Sequence, residues 1–126
     1  MSVGSIAASA LNAFSIDMMV RSNNVANINT DGFKAQDVTL MTGPGGRGVQ
    51  VGAITASRTP GPMVPGMVSG SENGRETLVP GFVEGSNTDL ANEFVQMIAS
   101  ETAYAANATV VRADEEISGA LLDIVA

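Results

Sequence analysis

With no histidine and no cysteine among 126 residues, the side-chain chemistry open to this chain is mainly that of carboxylates. It cannot build a His or thiolate zinc site, a Ser-His or Cys nucleophile pair, or a disulfide. Two acidic groups invite a metal reading: Asp89 with Glu93, and Asp114-Glu115-Glu116. The four-residue spacing of the first pair would let both side chains face one way and hold a divalent cation. A metal-free account covers the same residues. Acids at a helix start meet the positive end of the macrodipole, the triplet points three ways around a helix, and Arg112 pairs with Glu116 at i,i+4. Gly43-Pro44-Gly45-Gly46-Arg47-Gly48 has the glycines of a phosphate loop but lacks its Lys-Ser/Thr ending and opens no predicted helix, so it reads as a turn. No catalytic residue, metal ligand or cofactor is expected.

The overall charge of −7 excludes further classes. Sequence-independent nucleic-acid binding needs a basic face, and an anionic membrane surface would repel this chain. From Met1 to Ala13 there is neither Lys nor Arg, and Ser5, Ser9 and Asn12 interrupt the apolar residues, so an ordinary cleaved secretory signal is not expected. No run is expected to be long enough to span a bilayer.

Three segments must position whatever this chain does: residues 1–32, 33–85 and 86–126. In the first, Ile6, Ala13 and Val20 recur at intervals of seven, with Ser9 and Ile16 between them and Leu11, Met18 and Val25 on a neighbouring row. This spacing predicts a helix from Ser5 to about Asn29, roughly 37 Å long. Asparagines at 23, 24, 27 and 29 weaken it, and Asp31-Gly32 supplies a turn, so it should stop between Val25 and Thr30.

The middle segment contains all five prolines and most of the glycines. Val49, Val51 and Ala53 alternate within Gly48 to Ser57 and predict one short strand. Val38 to Met41 and Leu78 to Val83 are weaker strand candidates, the second interrupted by Pro80-Gly81. Gly66 to Glu76 is small, polar and turn-rich, and its sequence assigns it no element.

In the last segment Leu90, Met97, Tyr104, Val111, Ser118 and Val125 recur at intervals of seven, with Phe94 and Ala108 beside them. Val110, Ile117 and Ile124, with Leu121 between, take over towards the end. Ser86-Asn87-Thr88-Asp89 resembles a capping-box start. The helix that follows should run roughly 35 residues, or about 50–55 Å. The expected fold class is therefore mainly α: two long terminal helices packed as an antiparallel pair or bundle, with a short Gly/Pro-rich connector containing a little β structure. The row through Leu90, Phe94, Met97 and Tyr104 suits either an ordinary helix seam or one completed by another subunit.

The run from Ser22 to Ala35, SNNVANINTDGFKA, with Ala10-Leu11 upstream, resembles the N-terminal signature of the bacterial flagellar basal-body rod family. Its central residues are Asn23, Asn24, Asn27, Gly32 and Phe33. The C-terminal segment resembles the matching signature through Ser86-Asn87, Asp89-Leu90, Glu93, Ala103-Tyr104, Ala106-Asn107-Ala108 and Leu121-Leu122-Asp123-Ile124. Glu101-Thr102 stands where the family carries Gln-Arg. Gly48-Val49-Gln50-Val51 and Gly81-Phe82-Val83 look like the connecting region of small proximal rod subunits, with no room for the larger β-rich domains of the distal rod and hook.

The resemblance implies a structural subunit, not an enzyme. It implies export in the unfolded state by the flagellar type III apparatus, and helical polymerisation in the periplasmic rod with other copies and other rod proteins. It implies neither nucleic acid nor a membrane span. Packing within and between subunits would fall to Ile6, Leu11, Ile16, Val20, Leu90, Phe94, Met97, Tyr104, Val111, Ile117 and Leu121. A small acidic helical adaptor or secretion chaperone is the competing expectation.

Overall fold

A computed structural model describes residues 2–125. Helix α1 (Val3–Ala26) is followed by strands β1 (Gln36–Thr42), β2 (Val49–Ala56), β3 (Met63–Glu72) and β4 (Arg75–Glu84), then by helix α2 (Leu90–Val125). The strands form two separate antiparallel hairpins, β1 with β2 and β3 with β4.

The expectation of a mainly α chain with a little β structure is therefore wrong, because 28 % of the chain is strand. The error lies in the glycines. Gly66 to Glu76, to which the sequence assigns no element, belongs to a hairpin whose register pairs Val64 with Val83, Gly66 with Gly81 and Val68 with Val79. Valines on one strand lie over glycines of the other. A Cβ at Gly66, Gly70 or Gly81 would come within 2.8, 2.7 and 2.7 Å of Val83, Val79 and Val68 respectively. The glycines thus make room for valines instead of breaking the strands. Asn73 and Gly74, with φ of 52° and 76°, form the tight two-residue link that a type I′ hairpin turn requires.

The first hairpin joins through a 3-10 turn at Pro44–Gly46 and has one irregularity, where Thr39 pairs with Ala53 but Leu40 with Val51. Gly52 is the extra residue of this bulge. The hairpin lies on α1, and the Ser9 hydroxyl accepts from the Val49 N–H at 3.1 Å.

Helix α1 begins at Ser2, whose hydroxyl accepts from the Ser5 N–H, and ends at Asn27. Helix α2 is capped by Asp89, whose carboxylate accepts from the Asn92 N–H at 3.2 Å, rather than by Ser86 as the capping-box reading expected. The helices run antiparallel: Gly4 lies against Asp114, Asp17 meets Ser100, and Arg21 meets Glu93. Beyond Asp114, α2 continues past the start of α1.

Contrary to the expectation that no run could span a bilayer, α1 is long and apolar enough by length and composition, its best window having a mean hydropathy of 1.4. Alanine and isolated aliphatic residues produce that value. A span would carry Asp17 and Arg21 into hydrocarbon, and here they are engaged with α2 instead.

Candidate assembly interface

Two long helices with few large buried side chains need another means of fixing their register. Arg21 supplies it. Its guanidinium meets Asp17 at 3.3 Å and Glu93 at 3.4 Å, and donates to Asp37 at 2.7 Å. Asp17 also accepts from the Ser100 hydroxyl. One cation thus ties α1, β1 and α2 together. Burial opposes the charge on Arg21, but the hydrogen bond to Asp37 and the fields of Asp17 and Glu93 outweigh it and raise the guanidinium pKa above its ordinary value.

One turn further along, Asn24 is fully buried. Its side-chain carbonyl accepts from the Gln36 N–H at 2.8 Å and its amide donates to the Gln36 carbonyl at 2.7 Å, so a side chain on α1 imitates a strand neighbour for β1. Asn87, just before α2, accepts from the Ala35 N–H at 2.6 Å and donates to the Thr59 carbonyl at 2.8 Å. The Thr88 hydroxyl donates to the Asn24 carbonyl at 3.1 Å. The second hairpin is rooted nearby, where the Gly32 N–H donates to the Glu84 carbonyl at 2.7 Å and Glu84 accepts from Lys34 and the Gly61 N–H. At the end of α1 the Asn27 side-chain amide donates to the Asn23 backbone carbonyl and side-chain oxygen, and the Ser86 hydroxyl accepts from the Thr88 N–H. Phe33 contributes its backbone, accepting from the Asn87 N–H at 3.2 Å, while Asn107 donates within α2 to the Ala103 carbonyl.

On α2 Met97 and Val111 are half-buried while Leu90 and Tyr104 of the same row are exposed, and the row beside it, Glu93, Ser100, Asn107 and Asp114, is the more buried one against α1. On α1 the row of Ala13 and Val20 is joined by Ala10, Asp17 and Asn24, all buried. Sequence reasoning found the apolar rows and missed the polar ones. The missed signal was the seven-residue spacing of Asp17 with Asn24 and of Glu93 with Ser100, together with Asp17-Arg21 at i,i+4.

Of the residues expected to pack, Val20 is buried, Leu11, Ile16, Met97 and Val111 are half-buried, and Ile6, Leu90, Phe94, Tyr104, Ile117 and Leu121 are exposed. Val95, Ile98, Leu122 and Ile124 are exposed as well. The one fully formed apolar core among the described residues is Ala7, Ala10, Ala13, Val20 and Val38. Asp89 caps its helix and Glu93 pairs with Arg21.

A family model described as flagella basal body rod protein matches residues 5–34, and one described as flagellar basal body rod FlgEFG protein C-terminal matches residues 79–124. The chain belongs to the flagellar basal-body rod family. It is a structural component of the flagellum, located in the basal body and serving motility, and these families are not enzymes. No individual curated protein matches it. The two rod-family regions contain α1 with its terminal turn, and the end of β4 with α2. Arg21, Asn24, Asn87, Glu93 and Ser100 all lie within them, whereas most of both hairpins lies between. The helix-borne members of the buried polar junction thus come from the rod-family segments, while its β1 partners Gln36 and Asp37 lie just outside them.

Proposed function

We propose that this chain is a small proximal rod subunit that polymerises helically through α1 and α2, with other copies of itself and with other rod proteins. The carrying observation is the distribution of apolar surface: Phe94, Val95, Ile98, Ile117, Leu121 and Ile124 are exposed along α2 while the chain buries mainly alanines and Val20. Burial of that surface between subunits would stabilise what a single copy cannot. The connector supports the proximal position, since it holds only two hairpins and no larger domain.

Export in the unfolded state through the flagellar apparatus, with a periplasmic final location, agrees with the absence of disulfides and with a fold made mostly of local elements. A polymer joined by helix faces needs neither cofactor, nucleic acid nor a membrane span.

Sedimentation of the purified protein, alone and with neighbouring rod proteins, tests this reading. A monomer that grows into open polymers supports it, and a closed small oligomer, as expected of an adaptor or chaperone, overturns it. Tyr104→Ala should weaken association by about 2 kcal/mol through lost packing, whereas Glu116→Ala should leave it unchanged. Equal association of the two variants would remove the seam from the interface.

A further inference from the structure

A cavity of about 490 Å³ opens at the root of the first hairpin, between β1 and the first turns of α2, and its lining includes Arg21, Asp37, Ser57, Asp89, Glu93 and Gln96. Three carboxylates and one guanidinium leave that lining with two net negative charges. Each acid has engaged one oxygen, Asp37 Oδ1 and Glu93 Oε2 with Arg21, and Asp89 Oδ1 with the Asn92 N–H. The other oxygen of each has no hydrogen-bond partner among the described residues. Glu93 matters most. Its side chain is 5 % exposed, yet no sealed side-chain oxygen or nitrogen lacks a partner among the described residues, so its free oxygen opens into the cavity. A carboxylate oxygen in so enclosed a place calls for a donor.

Free oxygens on three segments suit a guanidinium, a planar group with five N–H donors, better than a single-point ammonium. Arg21 already engages Asp37 and Glu93 from the buried side. A second guanidinium entering the mouth would take the oxygens that Arg21 leaves.

The chain itself carries the matching group. Lys34 is held by Glu84, Arg75 lies across the strand pair from Glu72, and Arg112 sits at i,i+4 to Glu116. Arg47 and Arg58 remain. They are the only charged residues between Val38 and Ser71, and neither enters an ion pair among the described residues. Arg58 follows Ser57 at the root, so a contact made through it would join root to root and close a pair. Arg47 stands at the other end, in the loop between β1 and β2, about 20 Å from Asp37 along β1. The hairpin lies lengthwise on α1, since Asn24 meets Gln36 at the root and Ser9 meets Val49 beside the loop. Cation and cavity therefore occupy two levels along the helices.

We propose that the cavity is a socket for Arg47 of a second copy, one that lies alongside and is displaced along the helices by about the length of the first hairpin. The contact is heterologous, with the socket on one copy and the cation on the next, so it repeats without closing. A single charge-assisted contact with one side open to water adds little affinity; it fixes the stagger between neighbours and makes assembly sensitive to salt. The inference rests on the helical-assembly reading above and names one contact within it.

The natural absence of cysteine makes the test direct. Pro44, Asn92 and Thr77 are all exposed. Copies bearing Pro44→Cys in the loop are mixed with copies bearing Asn92→Cys at the cavity mouth under polymerising conditions and then oxidised, with Thr77→Cys on the second hairpin as the control. Disulfides should join loop to cavity and leave the control uncoupled. Arg47→Glu should raise the critical concentration for polymer about tenfold at low salt and far less at about 0.5 M salt, with an unchanged circular dichroism spectrum. Gln96→Lys should weaken assembly of copies that keep Arg47 and restore it in Arg47→Glu copies, a reversal that lost packing does not produce. Polymer that is indifferent to Arg47→Glu, that responds to Arg58→Glu instead, or that forms without the loop-to-cavity bond overturns the socket while leaving helical assembly in place. A cross-link formed only with a different rod protein overturns the choice of a second copy. A chain that stays monomeric alone and with its neighbours overturns the socket and the assembly reading together.

Discussion

Arg21 shows why a few polar residues organise this fold more than its aliphatic ones do. Asp17 and Glu93 are nearly inaccessible to water, and each would be an uncompensated buried charge without the guanidinium between them. Arg21→Met should therefore destabilise the chain by about 3–5 kcal/mol, measured by urea denaturation. Adding Asp17→Asn and Glu93→Gln to Arg21→Met should recover most of that loss, because the penalty belongs to the orphaned carboxylates. A triple variant no more stable than Arg21→Met would show that guanidinium packing, rather than charge, matters there. The sequence marks Asn24 and Asn87 through their family signatures, but it does not indicate that both serve as surrogate strand partners. That role depends on β1 arriving beside the end of α1, a tertiary event with no local signal. Arg21 itself was legible through its i,i+4 spacing to Asp17, and was overlooked because a charged pair on a helix ordinarily faces solvent.

The helices and hairpins differ in how openly their sequences declare them. Seven-residue apolar spacing identifies α1 and α2 and places their ends within a few residues, because a helix is specified locally. The second hairpin was concealed, since its glycines and prolines look like breakers until Gly66, Gly70 and Gly81 are seen to fit beneath valines across the strand. Its one local advertisement is Asn73-Gly74. At its root, the hydrogen bonds from Lys34 and the Gly61 N–H hold the Glu84 carboxyl below its ordinary pKa. A depressed folded-state pKa contributes stability that is fully present above the ordinary glutamate range and is lost as pH falls through the folded value. Acidification should thus loosen the root of this hairpin, seen as a Gly61 amide shift in NMR that titrates below the ordinary glutamate range. Glu84→Gln should abolish that titration while keeping an acceptor for both donors. A Gly61 shift that titrates identically in the variant would assign the effect to another group.

For the whole molecule, the decisive quantity is how little apolar volume one copy buries. Ala7, Ala10, Ala13, Val20 and Val38 are too small a core to offset easily a backbone ordering cost of about 1–2 kcal/mol per residue, and the polar junction sets register more than it adds net stability. Beyond Asp114, which lies against Gly4 near the start of α1, α2 leaves Ile117, Leu121 and Ile124 exposed. Folding and assembly should consequently be linked, with the terminal helices gaining order as subunits join. Each tenfold rise in protein concentration should then add about 1.4 kcal/mol of apparent stability per association step, moving the thermal midpoint by roughly 3–6 °C. Far-UV circular dichroism over a dilution series measures both quantities. Helicity and midpoint should fall together on dilution, and Leu121→Asp should hold the concentrated sample at the dilute values by preventing α2 from being covered. Full helicity and a constant midpoint at every dilution would mean that the lone chain is self-sufficient, and its exposed aliphatic rows would then need an explanation other than polymerisation.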